Sequence, residues 1–193
     1  HKVFGDGIAI LAGDALLTYA FEILTGLERS VKPEKLLQVI KEISQASGTA
    51  GMIGGQVVDI ISEQEKPTAQ LLQYIHHHKT GALLVASVRT GAILGGADEA
   101  QLEALTAYAR QLGLAFQITD DILDVVGDEK KLGKPVGSDE KNEKATFPAL
   151  FGLEQSRKMA QDAVETAIAA LEPIGEKGNI LTELARYLLE REN

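Results

Sequence analysis

Apolar residues recur along this chain at helical spacing almost from end to end. Ile8, Leu11, Ala15, Leu16, Tyr19 and Ile23 make one 3.6-residue stripe, and Ala9 and Gly13 leave room for close helix approach. Pro33 suits the first turn of a second helix, whose apolar face continues through Leu36, Leu37, Ile40 and Ile43. A glycine-rich stretch, 48–55, then leads into Val57, Val58, Ile60 and Ile61. The Gly54-Gly55 pair inside an apolar segment predicts a break, a kink or a close backbone contact. Thr68 reads as the cap of a long helix reaching about position 93 and stopped by Gly95-Gly96. Asp98 and Gln101 form an Asp variant of the capping box for the next helix, which extends to about Val126. Residues 127–142 hold Gly127, Gly133, Pro135 and Gly137 and read as a loop; two further helices are expected near 145–171 and 179–190. No strand-like alternation, repeat, low-complexity tract or interdomain linker stands out. The pattern predicts an all-α bundle forming a single domain over 1–193.

Composition narrows this picture. A chain of 193 residues fits one domain with a sizeable core, burying about 70% of its unfolded surface. It has no cysteine, which excludes disulfides and thiolate metal sites and agrees with a reducing, cytoplasmic setting. Wholly apolar runs fall far short of the roughly 20 residues of a membrane span, and no signal peptide is legible, so no transmembrane segment is expected. The net charge of −9 argues against nucleic acid as a main partner. It leaves phosphorylated substrates open, because bound divalent cations reverse the field of an acidic site.

The candidate chemistry centres on Phe116-Gln117-Ile118-Thr119-Asp120-Asp121-Ile122-Leu123-Asp124, a D-D-x-x-D cluster in an apolar helical run. Positions i and i+4 stack on one helix face, so Asp120 and Asp124 point the same way, with Asp121 about 100° round the axis. Like charges so placed weaken a helix by roughly 0.2–0.5 kcal/mol per pair. Phe116, Ile118, Ile122, Leu123, Val125 and Val126 predict a largely buried helix, where carboxylates need a cation. Oxygen-only ligands select a hard ion, Mg²⁺ or Ca²⁺; on these residues alone, a solvated acidic turn is the competing reading.

Lysines bracket the cluster: Lys79 in His76-His77-His78-Lys79-Thr80-Gly81, Lys134 in a Gly/Pro loop, and Lys144 before Ala145-Thr146. Each suits a phosphate as a compact point charge, and each also reads as an ordinary snorkelling or solvated lysine. Gln56 and Asp59 share a face beside the Gly-Gly pair, as any polar helix turn would. The three consecutive histidines point about 100° apart on a helix and do not converge on one ion. G-x-S-x-G, P-loop and H-E-x-x-H motifs are absent.

Together these blocks resemble the trans-isoprenyl diphosphate synthases, and within them the short-chain bacterial farnesyl diphosphate synthases. The matching segments run in family order: Leu11-Ala12-Gly13-Asp14-Ala15-Leu16-Leu17, Gly51-Met52-Ile53-Gly54-Gly55-Gln56, His76 with Lys79-Thr80-Gly81, Phe116-Gln117 with Asp120-Asp121 and Asp124, Gly133-Lys134 with Gly137 and Asp139, and Lys144-Ala145-Thr146 with Pro148. The resemblance implies an antiparallel helical bundle of the isoprenoid synthase type. It implies that Asp120, helped by Asp121 and Asp124, holds Mg²⁺ against an allylic diphosphate. Lys79, Lys134 and Lys144 would neutralise that diphosphate. Thr80 and Gln117 would stabilise the allylic cation as catalytic residues, and Phe116, Gln56 and Asp59 would lie in the substrate site. It further implies a homodimer, through the region of Ala9, Gly13 and Ala20.

The reaction so implied is ionisation of a dimethylallyl or geranyl diphosphate, attack by isopentenyl diphosphate and loss of a proton, with all-trans farnesyl diphosphate as the expected product. The family carries a second Asp-rich motif, basic residues for isopentenyl diphosphate and bulky residues that set product length; none has a counterpart here. The chain is therefore expected to lack the family's N-terminal helices and to be inactive alone. The alternatives are a non-catalytic regulatory or scaffold subunit that pairs with a complete synthase, and a terpene cyclase, which usually carries an Asn/Asp-Ser/Thr-Glu triad at the position of Asp120.

Overall fold

The computed structural model describes residues 1–62, 68–127 and 146–191. Lys134, Lys144 and most of the expected 127–142 loop lie outside the described residues. Among the described residues the chain is helical, with no strand, as the apolar periodicity predicts. Its contacts group into two units, His1–Glu42 and Ile43–Asn193.

The first unit holds α1 (Asp6–Thr25) and most of α2 (Pro33–Ser47). Pro33 begins α2 as expected, and Glu34 places a carboxylate in its first turn, where the helix dipole favours it. Helix α1 forms over the predicted stripe, yet none of its 20 residues is buried. Ile8, Ile10, Leu11, Leu16, Leu17, Tyr19 and Ile23 are all exposed. No wholly apolar run is long, but α1 as a helix is long and apolar enough to cross a membrane by length and composition.

The second unit is built around α6 (Glu99–Val126), a 28-residue helix. Its start is the expected capping box: Asp98 accepts from the Gln101 backbone N–H at 2.9 Å, and Gln101 Oε1 accepts from the Asp98 N–H at 3.1 Å. Before it come α3 (Met52–Ser62), α4 (Ala69–Ile75) and α5 (Ala82–Gly95). Thr68 caps α4 by accepting the Leu71 N–H, and Gly96 ends α5 at φ +80° in the left-handed region. After α6 come α7 (Phe147–Phe151), α8 (Leu153–Ala170), a 3₁₀ segment (Glu172–Gly178) and α9 (Asn179–Glu190).

Two expected long helices are interrupted. Gly152, at φ +79°, separates α7 from α8 where one helix over 145–171 was expected. The helix begun at Thr68 opens at His76–Gly81 into a π turn, in which each N–H reaches one residue further back than in an α-helix.

Helix α8 packs along most of one side of α6, and α5 packs on another. Their contact buries Tyr108, Ala109, Leu112 and Ala115 of α6 with Ala163, Val164 and Ala167 of α8. A second cluster joins Leu72, Ile118, Ile122, Phe147 and Ala160. Polar clamps tie the layers: Arg89 Nη1 donates to Thr106 Oγ1 at 2.7 Å, and the Tyr108 hydroxyl donates to the Leu181 carbonyl at 2.7 Å. Burial raises the Tyr108 pKa from its usual 10 to about 12.

Candidate active site

Three elements bring the expected residues together: α3, the π turn and α6. Helix α3 crosses the π turn backbone to backbone. A Cβ on Gly55 would stand 2.3 Å from the Lys79 nitrogen and 2.8 Å from its Cα. Of the three meanings open to Gly54-Gly55, close contact is the one the fold uses at Gly55. It puts Asp59 of α3 beside Lys79, whose Nζ donates to Asp59 Oδ2 at 2.6 Å. Charge-assisted contacts of this length are among the stronger hydrogen bonds, although both side chains stay partly exposed. Gln56 and Thr80 lie half-buried in the same elements.

On α6 the aspartates differ in setting. Asp120 leaves 43% of its side chain exposed, with the Arg191 Nη2 3.7 Å from Oδ1. Asp124, on the same face by helical spacing, is buried, as is Asp121. Asp121 turns inward: its Oδ2 accepts the Phe147 N–H at 2.9 Å and lies 3.8 Å from His76 Nε2. Val125 and Val126 are exposed, so the apolar wall expected behind the cluster stops at Leu123.

His76 is the electrostatic centre of the arrangement. Burial holds its imidazole below the usual range. Gln117, through a side-chain hydrogen bond, and the charges of Asp59 and Asp120 oppose that shift, while Lys79 adds to it. One ring thus senses Asp59, Lys79, Gln117 and Asp120 together. His76 also lines a cavity of about 580 Å³, with Gln73, Tyr74, His77, Arg110 and Leu114 and with no aspartate among its described lining residues.

Sequence reasoning missed two residues here. Arg191 packs its guanidinium over the Phe116 ring, 4.4 Å from the centroid, and donates to the Phe116 carbonyl at 3.4 Å. Burial lowers its pKa against the pull of Asp120. A lone arginine after the last helix gave no signal, because Phe116 lies 75 residues earlier. Phe147 was missed for a related reason, since its part is played by a backbone N–H.

Whether a hard cation fits is a question of donors. Among the described residues no three His, Cys, Asp or Glu side chains are grouped to cage an ion. Mg²⁺ rarely uses such a cage: it keeps several waters and binds through one or two carboxylates plus substrate phosphates. A half-exposed Asp120 with Asp124 one turn on fits that mode.

Known proteins resemble this chain in sequence and in fold. The polyprenyl synthetase family model matches residues 1–184. A dimethylallyltranstransferase of Fischerella ambigua (strain UTEX 1903) is 50% identical over 192 residues, 99% of this chain and 56% of that protein. A farnesyl diphosphate synthase of Geobacillus stearothermophilus is 44% identical over 194 residues, all of this chain and 65% of that protein. The chain thus spans between 56% and 65% of the length of these two relatives. The crystal structure of geranylgeranyl pyrophosphate synthetase from Pyrococcus horikoshii Ot3 superposes with a TM-score of 0.85 at 33% identity, covering all of this chain and 69% of that one. A family pattern that runs through 184 residues and a helical scaffold reproduced in a solved relative lead to one conclusion: the chain belongs to the polyprenyl synthetase family.

Proposed function

We propose that the protein carrying this chain is a Mg²⁺-dependent prenyltransferase that condenses isopentenyl diphosphate with a dimethylallyl or geranyl diphosphate. The product proposed is farnesyl diphosphate, the setting cytoplasmic and the assembly a homodimer. The observation that carries the reading is the Lys79–Asp59 pair, held at 2.6 Å where α3 meets the π turn that also packs on α6 and its aspartates.

In this reading Lys79 meets the allylic diphosphate, and Asp59 holds its ammonium in place until then. Lys134 and Lys144 would add positive charge against the same diphosphate. The C–O bond of the allylic diphosphate breaks and diphosphate leaves with the electron pair. The Gln117 carbonyl and Thr80 hydroxyl dipoles face the carbons that turn cationic, with the Phe116 ring nearby. The double bond of isopentenyl diphosphate attacks, and the adduct loses a proton. Asp120, with Asp121 and Asp124, would hold Mg²⁺, whose charge would make diphosphate a better leaving group. The apolar helical walls keep water from the cation, and preorganised dipoles supply much of the barrier lowering.

The test is incorporation of radiolabelled isopentenyl diphosphate with geranyl diphosphate and Mg²⁺, with chain length read by chromatography. Asp120→Ala is expected to lower kcat by on the order of 10²-fold, the scale of one preorganised electrostatic group, with its helix content retained. Turnover by Asp120→Ala near the wild-type rate would remove the metal assignment. A C20 product would keep the reaction and discard the farnesyl assignment.

A further inference from the structure

The π turn carries Lys79, but its first residue, His76, has the more unusual surroundings. The imidazole lies nearly flat against Phe147, with centroids 5.5 Å apart and planes 12° apart. Its Nε2 is buried and has no hydrogen-bond partner among the described residues. The nearest carboxylate oxygen, Asp121 Oδ2, is 3.8 Å away, beyond hydrogen-bond reach. That same oxygen already accepts the Phe147 N–H. The ring's other polar neighbour is the Gln117 side chain, one helical turn before Asp121 on α6. Buried polar atoms are nearly always partnered. An imidazole nitrogen left without a partner, aimed at a carboxylate beside a candidate catalytic amide, is therefore a site with a use.

We propose that His76 is a positioning residue. Its ring packs flat against Phe147 and, through the polarity of its nitrogens, orients the Gln117 amide and the Asp121 carboxylate, joining the π turn, α6 and α7. Three features support this. The stack on Phe147 fixes the plane of the ring, so its nitrogens point in set directions. Phe147 reaches Asp121 through its backbone, so the ring and the carboxylate are braced by one residue. The π turn, finally, places His76 against α6 while Lys79 stays against Asp59 of α3. The consequence for catalysis rests on the prenyl-transfer reading; the positioning itself does not.

Two variants separate chemistry from shape. His76→Phe keeps the ring and the stack but removes both nitrogens, and His76→Gln drops the ring but restores a polar end. The first readout needs no ligand: hydrogen exchange of the Phe147 amide and the side-chain amide resonances of Gln117, by NMR on this chain. His76→Phe is expected to speed Phe147 exchange by roughly five- to tenfold, the worth of one hydrogen bond, and to shift the Gln117 resonances. Exchange at Leu112, in the other core cluster, should hold, and His76→Gln should recover most of both signals. The second readout is kinetic. His76→Phe is expected to lower kcat by about ten- to a hundredfold, the scale of a catalytic group slightly misplaced, with KM for the allylic diphosphate nearly unchanged.

Unmoved Phe147 and Gln117 signals in His76→Phe would overturn the proposal, and so would equal losses in both variants. If His76→Phe does not fold, His76→Asn, which drops the ring and carries a shorter amide than His76→Gln, takes its place under the same criteria. If the wild-type protein transfers no prenyl group while the amide signals respond as expected, the function is wrong and the positioning role stands.

Discussion

Helices α1 and α6 are the two longest among the described residues, and both are rich in leucine, isoleucine and alanine. Helix α6 buries residues from Thr106 to Asp124. Helix α1 buries none. Apolar periodicity is a local property and correctly marks both as helices. Burial depends on what else the chain supplies to cover a face, and α5, the π turn and α8 all pack on α6. An apolar helix face is matched to apolar surroundings, and among the described residues α1 has none that is buried.

The largest expected effect tests the buried side of that contrast. Ile118, fully buried between Leu72, Phe147 and Ala160, should cost about 2–5 kcal/mol when cut to alanine, read from urea denaturation. Next comes the crossing of α3. Gly55→Ala puts a methyl group 2.3 Å from the Lys79 nitrogen, and overpacking of this kind costs typically 1–3 kcal/mol. The same variant should move Lys79 away from Asp59; unchanged stability would show that α3 slides freely.

A smaller effect belongs to Tyr108→Phe, which removes the bond to the Leu181 carbonyl and should cost roughly 0.5–1.5 kcal/mol. Here pH supplies a second signature. The folded tyrosine titrates near 12 and the unfolded one near 10, so the folded state keeps its proton longer. Its contribution is complete below pH 10 and is lost as pH rises toward 12; the phenylalanine variant should lack that loss. The smallest effect is on α1, where Leu16→Ser at an exposed position should stay within about 0.5 kcal/mol. If it destabilises as much as Ile118→Ala, α1 is covered in solution and the contrast between the two helices disappears.

Much of this was legible in the chain. Thr68, the Asp98–Gln101 box and Gly96 act as helix signals because capping is a matter of neighbouring residues. The resemblance to isoprenyl diphosphate synthases rested on blocks in order, and the family match follows it. Less legible was anything that depends on distant partners. The spacing of Asp120, Asp121 and Asp124 showed which face each takes, but not that Asp121 accepts a bond from Phe147, 26 residues on. Arg191 reaches Phe116 and Asp120 only because α9 delivers the chain end there. The π turn was hidden for the same reason: a run of three histidines has no periodicity to betray it, and the backbone that presses on it belongs to α3.

That turn also sets a rule for how this stretch can change. One extra residue in a helix advances everything after it by about 100°, so 69–75 and 82–95 lie on two different angular phases of what is otherwise one rod. Loss of a single residue from His76–Gly81 would close the π turn into a regular α-helix and leave one residue fewer to face both α3 and α6. Either His76 would leave α6, or Lys79 would leave Asp59. Point substitutions can pass through the segment one at a time, whereas insertions and deletions are closed to it, and its length should be far more constant than its letters.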